Sequence, residues 1–135
     1  MTGLDSATLD AFTRARYVSL TTYRRDGTPV ATPVWHVMAD GRLYLTTAAA
    51  AWKVRRLRRD PAVKVAVCDV RGRVAPGATE AVGSGRILDA EGTARVQSLL
   101  ARKYVLARLG NGWSRLTGRW NRHPVVALEI AFPAK

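Results

Sequence analysis

The densest group of chemically useful side chains is a basic segment near the middle of the chain. Five of the seven positions from Lys53 to Arg59 carry a cation. Ala50, Val54 and Leu57 follow i, i+4, i+7 spacing, so a narrow apolar stripe can dock while the cations spread around it. Lys53 falls in the first helical turn, where backbone N–H groups are unpaired and the helix dipole is positive. A cation is unfavourable there, so the segment suggests a bound anion, most simply a phosphate; a solvated surface helix is an equally good interpretation.

The overall charge supports an anionic partner. The 135 residues contain 22 Lys and Arg against 10 Asp and Glu, a net charge of +12. The cations concentrate at 53–59 and again at 95–122, and two such groups favour a polyanionic ligand. Nucleic acid is an unlikely partner, because we find neither a recognition motif nor strands that interleave aromatic and basic residues.

Few side chains are candidates for acid–base, nucleophilic or metal chemistry. His36 could donate a proton beside a reduced cofactor, although a strand histidine bonded to backbone or water is the more common case. His123 precedes Pro124 and is interpreted as a turn residue. Two scattered histidines and Cys68 do not form a metal site, and no Ser–His–acid set indicates hydrolysis. We therefore predict no catalytic side chain and no bound metal.

The single cysteine, Cys68, excludes an internal disulfide. We find no signal peptide and no apolar stretch of membrane-spanning length, so we expect a cytoplasmic protein without a membrane partner.

The hydrophobic pattern predicts one domain over residues 1–135. We expect helices over 5–14, about 52–59 and 90–109, with a further helical turn or two over 113–120 after Gly110-Asn111-Gly112. Alternating patterns and one near-continuous apolar run, at 62–70, contribute to a prediction of six strands, at 17–23, 28–38, 42–47, 62–70, 79–88 and 124–132. The first three should form an antiparallel meander, and Pro29 and Pro33 should place the second at an edge. The fold class is therefore mainly β (α+β), a six-stranded antiparallel barrel with short inserted helices.

Several of these segments, in this order, resemble a known family. The carrying segments are 17–22, 26–30, 32–35, 43–47, 53–61 and 68–74. They resemble the FMN-binding split β-barrel family typified by pyridoxamine 5′-phosphate oxidase. Within it, the chain is most similar to the actinobacterial oxidoreductases that depend on the deazaflavin coenzyme F420. The resemblance covers roughly residues 16–88 and implies that the barrel is split.

The resemblance also implies a homodimer with coenzyme bound at the subunit interface. Lys53 matches the family's phosphate-binding position, and Arg55 and Arg56 would add contacts to the phosphate and the glutamate tail of F420. The ring would lie along two strands, against Pro33, Val34, Trp35, Thr46 and Thr47. The implied activity is hydride transfer between F420, or alternatively FMN, and a small organic substrate.

Two residues depart from the family pattern just before Lys53. The family usually has a small hydroxyl or glycine pair there, whereas this chain has Ala51 and Trp52. Ala51 removes a phosphate-binding hydroxyl, and Trp52 adds either bulk or an aromatic wall. The alternative function is therefore a non-catalytic protein that binds flavin, F420 or a tetrapyrrole on the same fold.

Overall fold

The structure, a computed structural model, describes residues 4–108 and 124–133, with side chains described at 4–104 and 124–133. It contains three helices and seven strands in these residues. In chain order they are α1 (Ser6–Arg14), β1 (Tyr17–Tyr23), β2 (Pro29–Val34), β3 (Val37–Ala39), β4 (Arg42–Ala48), α2 (Trp52–Arg59), β5 (Ala62–Cys68), β6 (Glu80–Ile87), α3 (Ala90–Arg108) and β7 (Val125–Ala131). The predicted turn at 110–112, helical turns at 113–120 and turn residue His123 lie outside the described residues.

The strands form one sheet in which every described pairing is antiparallel. Its order is β2-β1-β5-β6-β7-β4-β3, so β2 and β3 are the two ends. The mainly β fold class is confirmed, as is the edge position of the proline-containing strand. The prediction of six strands is wrong, because the expected strand 28–38 is divided at Trp35 and His36 into β2 and β3.

This division also corrects the expected three-stranded meander. β2 pairs with β1 and β3 pairs with β4, at opposite ends of the sheet. Only Trp35 and His36 separate the two ends along the chain, and an extended chain covers at most about 3.6 Å per residue. The ends must therefore lie close together, so the sheet curls into a barrel that stays open between β2 and β3. We call this opening the seam.

Backbone pairing explains why the chain leaves the sheet at the seam. The His36 N–H donates to the Tyr104 hydroxyl of α3 at 3.0 Å instead of to a neighbouring strand. The Lys103 ammonium donates to the His36 carbonyl at 3.0 Å. Both backbone groups of His36 are thus satisfied by a helix, and β2 and β3 remain separate strands.

The barrel interior is filled by the inward residues of the alternating strands. Its buried cluster includes Leu20, Leu43, Leu45, Leu128 and Ile130. Phe12 of α1 is also completely buried and joins this cluster, so α1 covers one part of the core. The alternation that predicted these strands is the same feature that fills the barrel.

Two glycines of β6 permit close approach of other elements. A Cβ on Gly83 would lie 2.6 Å from the carbonyl oxygen of Ala131 in β7. A Cβ on Gly85 would lie 3.0 Å from the Leu57 side chain of α2. These glycines therefore mark a site of tight packing between β6, β7 and α2.

Candidate functional site

The site is built around α2, which begins where β4 ends. Val54 and Leu57 are the buried residues of α2, and the helix packs on β1 and β6. Ala50, the third residue of the predicted apolar stripe, is exposed. The helix ends at Arg59, with Asp60 as its C-cap, and Pro61 cannot continue it. Burial of this narrow stripe leaves the cations of α2 around its remaining surface.

The first turn of α2 has the properties of an anion site. The N-cap residue, Ala51, makes no side-chain hydrogen bond to the helix, and the first turn contains no acidic residue. Arg56, Arg58 and Arg59 lie in the last turn, where cations complement the helix dipole. Because the N-cap residue is an alanine, the amides at the start of α2 have no capping side chain.

Lys53 is half-buried beside these amides. Burial lowers the pKa of its ammonium group, and the charge of Arg56 lowers it further. None of the described ion pairs engages Lys53. A desolvated cation without a carboxylate partner is costly, and a bound phosphate would offset that cost. The Lys53 ammonium group and the first-turn amides of α2 thus fit a phosphate at this position.

Trp52 does not fill the space in front of the helix. Its side chain is 66% exposed, the highest value among the large hydrophobic residues described. The guanidinium carbon of Arg55 lies 4.9 Å from its ring centroid, a cation–π contact. The aromatic-wall interpretation of Trp52 therefore agrees with the structure, and Arg55 is held against this wall.

A cavity of about 390 Å³ opens beside Trp52. It lies between α2 and the turn that joins β1 to β2, and its lining consists of Arg24, Arg25, Trp52, Arg56 and Arg59. We call it the arginine pocket. Sequence analysis singled out the arginines of α2 but missed Arg24 and Arg25, because only the folded hairpin brings its turn against this helix.

The predicted ring-binding residues lie on two other parts of the sheet. Thr46 and Thr47 lie near the end of β4, opposite Ala127 and Val126 of β7 and a few residues before α2. Pro33 and Val34 lie on the edge strand β2, opposite Ser19 and Val18. Because their strands are not adjacent in the sheet, backbone pairing does not bring these two groups together.

Trp35 lies at the seam and faces α3. Its ring stacks on that of Tyr104, with centroids 4.5 Å apart and planes 9° from parallel. The Tyr104 hydroxyl is close enough to donate to the carbonyl of Arg16 at 2.8 Å or of His36 at 3.0 Å. One face of the Trp35 ring is therefore covered by α3, which fixes its orientation.

His36 is a buried histidine bonded to the backbone. Its Nε2 lies 2.6 Å from the carbonyl oxygen of Phe12, so Nε2 carries the proton and donates. Its Nδ1 is buried and has no hydrogen-bond partner among the described residues. Burial, and secondarily the charge of Lys103, lower the pKa of His36 to about 4. The structure thus agrees with the backbone-bonded interpretation and keeps this side chain neutral near pH 7.

Lys103 and Tyr104 form the part of this region that sequence reasoning missed. Lys103 donates to the carbonyl of Ala15 at 3.0 Å, and burial lowers its pKa to about 8. Burial raises the pKa of Tyr104 to about 12. The sequence signal that could have identified this region is a lysine at an inward-facing position of α3, because a buried ammonium group needs hydrogen-bond acceptors.

The described residues offer no metal centre and no helical membrane span. In residues 4–108 and 124–133, no three His, Cys, Asp or Glu side chains are grouped so that they could hold a metal ion. Within the same residues, no helix is both long and apolar enough to cross a bilayer.

Comparison with solved structures supports the same fold at low sequence identity. A conserved hypothetical protein from Mycobacterium tuberculosis is 24% identical over 96% of this chain and 81% of its own, with a TM-score of 0.71. The heme storage protein HutZ from Vibrio cholerae is 12% identical over 100% of this chain and 93% of its own, with a TM-score of 0.69. An F420 reductase is 19% identical over 97% of both chains, with a TM-score of 0.61.

The family follows from sequence as well as from fold. Comparison with curated proteins finds no match. The family model described as pyridoxamine 5′-phosphate oxidase matches residues 4–128, which is most of the chain. This match spans β1 to β6, α2 and most of β7, the elements that form the split barrel and its basic helix. The chain therefore belongs to the pyridoxamine 5′-phosphate oxidase family of FMN-binding split β-barrels.

Proposed function

We propose that this protein is an oxidoreductase that uses coenzyme F420 to transfer a hydride to or from a small organic substrate. The observation that carries the proposal is Lys53, a half-buried cation outside the described ion pairs, next to uncapped amides at the start of α2. Family membership and a structural likeness to an F420 reductase support the coenzyme class. FMN is the alternative coenzyme.

Several side chains and backbone amides of α2 would bind the phosphate group. Lys53 would pair with the phosphate while the first-turn amides donate to its oxygens. Arg55 and Arg56 would contact the phosphate and the anionic tail that follows it. Arg56 is already oriented by a 3.3 Å hydrogen bond from its guanidinium to the hydroxyl of Thr22, so little side-chain entropy would be lost on binding.

The ring would lie along Pro33, Val34 and Trp35, with Thr46 and Thr47 contacting its polar edge. These two groups lie on strands that do not pair with each other. We also propose a homodimer in which paired subunits contribute to each site, as the family resemblance implies. The stack of Trp35 on Tyr104 would present a fixed aromatic surface to the ring.

Chemistry would come mainly from the coenzyme, which supplies a hydride carrier when bound. The protein would bind the phosphate, orient the ring and exclude water from the reacting face. His36 is neutral, and its single N–H is used by the Phe12 carbonyl. We therefore assign it a structural role at the seam and propose no side chain as a general acid or base.

Titration of the purified protein with oxidised F420 and with FMN tests this proposal. We expect F420 to bind more tightly, and we expect Lys53→Ala to weaken its binding at least tenfold, or about 1.4 kcal/mol. Lys64→Ala is the matched control, because Lys64 lies on β5 and its ammonium pairs with Glu80 at 3.7 Å. Failure of both coenzymes to bind at tens of micromolar would exclude the enzyme.

A second candidate is a non-catalytic protein that holds a flavin, F420 or a tetrapyrrole. It is favoured by the absence of a free acid–base group among the described site residues and by Ala51, which provides no capping hydroxyl. The fold is also shared with the heme storage protein HutZ. Coenzyme binding without turnover of reduced F420 against a panel of small organic acceptors would favour this second function.

A further inference from the structure

The arginine pocket lies beside the proposed phosphate site and shares Arg56 with it, but it does not include Lys53. Its lining residues are Arg24, Arg25, Trp52, Arg56 and Arg59, and Lys53 is not among them. At 3.6 residues per turn, Trp52, Arg56 and Arg59 share one helical face, whereas Lys53 projects about 60° further round than Arg56. The pocket therefore opens on the outer face of α2.

Two of the four arginines are held in place by the neighbouring strand. The Arg59 guanidinium donates to the carbonyl of Tyr23 at 2.7 Å, and that of Arg56 donates to the Thr22 hydroxyl at 3.3 Å. Each of these hydrogen bonds uses only part of a guanidinium with five N–H donors. The remaining donors are available to a ligand without reorganisation of the side chains.

The positive charge of the pocket is only weakly offset. The described ion pairs engage other arginines, at positions 14, 42, 73, 86 and 95. Asp26 is in the same turn as Arg24 and Arg25, but its carboxylate accepts a hydrogen bond from the Thr28 amide at 2.9 Å. A hydrogen bond from the Thr28 side chain is the main cause of its lowered pKa, the amide bond comes next, and the charge of Arg24 contributes less. The pocket thus combines four arginines with a single nearby carboxylate that is already hydrogen-bonded. Its net positive charge favours a multiply charged anion as ligand.

Trp52 indicates that the ligand carries a flat ring as well as negative charge. An indole that is 66% exposed keeps a large apolar surface in water. Arg55 covers part of that surface, at 4.9 Å from the ring centroid, and the ring also forms a wall of the pocket. A flat ring stacked on Trp52 would remove this surface from water while its anionic groups reach the arginines.

We propose that the arginine pocket is a second ligand site, separate from the Lys53 site, for a compound of the nucleotide class. The ring of the ligand stacks on Trp52, and its phosphates bind Arg24, Arg25 and Arg59. A volume of about 390 Å³ lies within the usual range for small-molecule sites. This site does not depend on the identity of the coenzyme.

ADP and pyrophosphate are the probes, because they share a diphosphate and differ in the ring. Calorimetric titration of the full chain at 0.1 M salt should give a dissociation constant for ADP at least tenfold below that for pyrophosphate. ADP should also quench the protein's tryptophan fluorescence, and Trp52→Phe should abolish that part of the quenching. Equal binding of the two probes, or no binding of ADP at 1 mM, would overturn the proposal.

Two double variants and Lys53→Ala show where on the protein ADP binds. Arg24→Gln combined with Arg25→Gln changes only exposed turn residues and should weaken ADP binding at least tenfold. The control pair Arg58→Gln and Arg71→Gln removes the same net charge from exposed positions outside the pocket lining and should change binding less than twofold. Lys53→Ala should leave ADP binding intact. Equal losses in the two double variants would show a general charge effect, and loss in Lys53→Ala would show a single site; either result contradicts the proposal.

Discussion

At the scale of a single residue, His36 owes its chemical state to its surroundings. Its side chain has no exposed surface, its Nε2 donates to the Phe12 carbonyl, and Lys103 lies nearby. Burial and then the charge of Lys103 lower its pKa from the ordinary 6.5 to about 4. The folded state therefore binds a proton at His36 only in more acidic solution than the unfolded state does.

This difference predicts an acid-sensitive fold. The unfolded state takes up a proton at His36 as the pH falls below 6.5, whereas the folded state does so near pH 4. The contribution of neutral His36 is therefore complete above pH 6.5 and is lost progressively down to about pH 4. We expect a loss of about 3 kcal/mol in unfolding free energy across this window, measured by urea denaturation at a series of pH values.

His36→Gln is the control for this experiment, because an amide can still donate to the Phe12 carbonyl but does not titrate. The variant should be less stable than the wild type at pH 7.5 and should lose less stability on acidification. An identical pH dependence of the two proteins would contradict the role assigned to His36. Carboxylates also titrate in this pH range, but they are the same in the two proteins, so the comparison cancels their effect.

At the scale of elements, α3 anchors the short link that joins the two ends of the sheet. Its Tyr104 accepts from the His36 amide and can donate to the carbonyls of Arg16 or His36. Lys103 donates to the carbonyls of Ala15 and His36. Two adjacent side chains of one helix thus bind the segment after α1 and the link between β2 and β3.

Tyr104→Phe should weaken this connection while it retains the aromatic stack on Trp35. The buried His36 amide would lose its acceptor, at a cost of about 1–3 kcal/mol in unfolding free energy. Hydrogen exchange at the His36 amide should also accelerate, since its protection depends on that bond. Tyr23→Phe is a suitable control, because no described hydrogen bond involves the Tyr23 hydroxyl. Unchanged exchange at His36 in Tyr104→Phe would show that α3 does not hold the seam.

At the scale of the whole molecule, the proposed ring contacts require two parts of the sheet that backbone pairing does not bring together. Thr46 and Thr47 lie near one end of the strand order, and Pro33 and Val34 lie at the other. The seam brings the two ends of the strand order close together within one chain, and in the proposed homodimer a second subunit would add its own residues to each site. Coenzyme binding and subunit association should then be linked.

Sedimentation of the purified protein should therefore give twice the chain mass of 14.8 kDa. Addition of saturating F420 should lower the dimer dissociation constant, because a ligand that contacts both subunits favours the assembled state. The same series with FMN shows whether the linkage is specific to one coenzyme. A monomer that binds F420 with undiminished affinity would contradict the interface site.

The sequence by itself determined the local elements and the family. Period-two and period-3.6 hydrophobic patterns are properties of neighbouring residues, so β1, α2 and the α3 start capped by Asp89 lie close to where they were predicted. Likewise, the edge position of β2 follows from its two prolines. The basic character of α2 and the match to pyridoxamine 5′-phosphate oxidase are also readable along the chain.

Only the tertiary structure decided which distant residues act together. The division of one expected strand at Trp35 and His36 depends on hydrogen bonds between His36 and two residues of α3, Lys103 and Tyr104, 67 and 68 positions away along the chain. The arginine pocket depends on a hairpin turn meeting the outer face of α2. The burial that lowers the pKa of His36 likewise exists only once α1 and α3 have packed on the seam. Such contacts join segments far apart in sequence, and no local pattern of residue types specifies them.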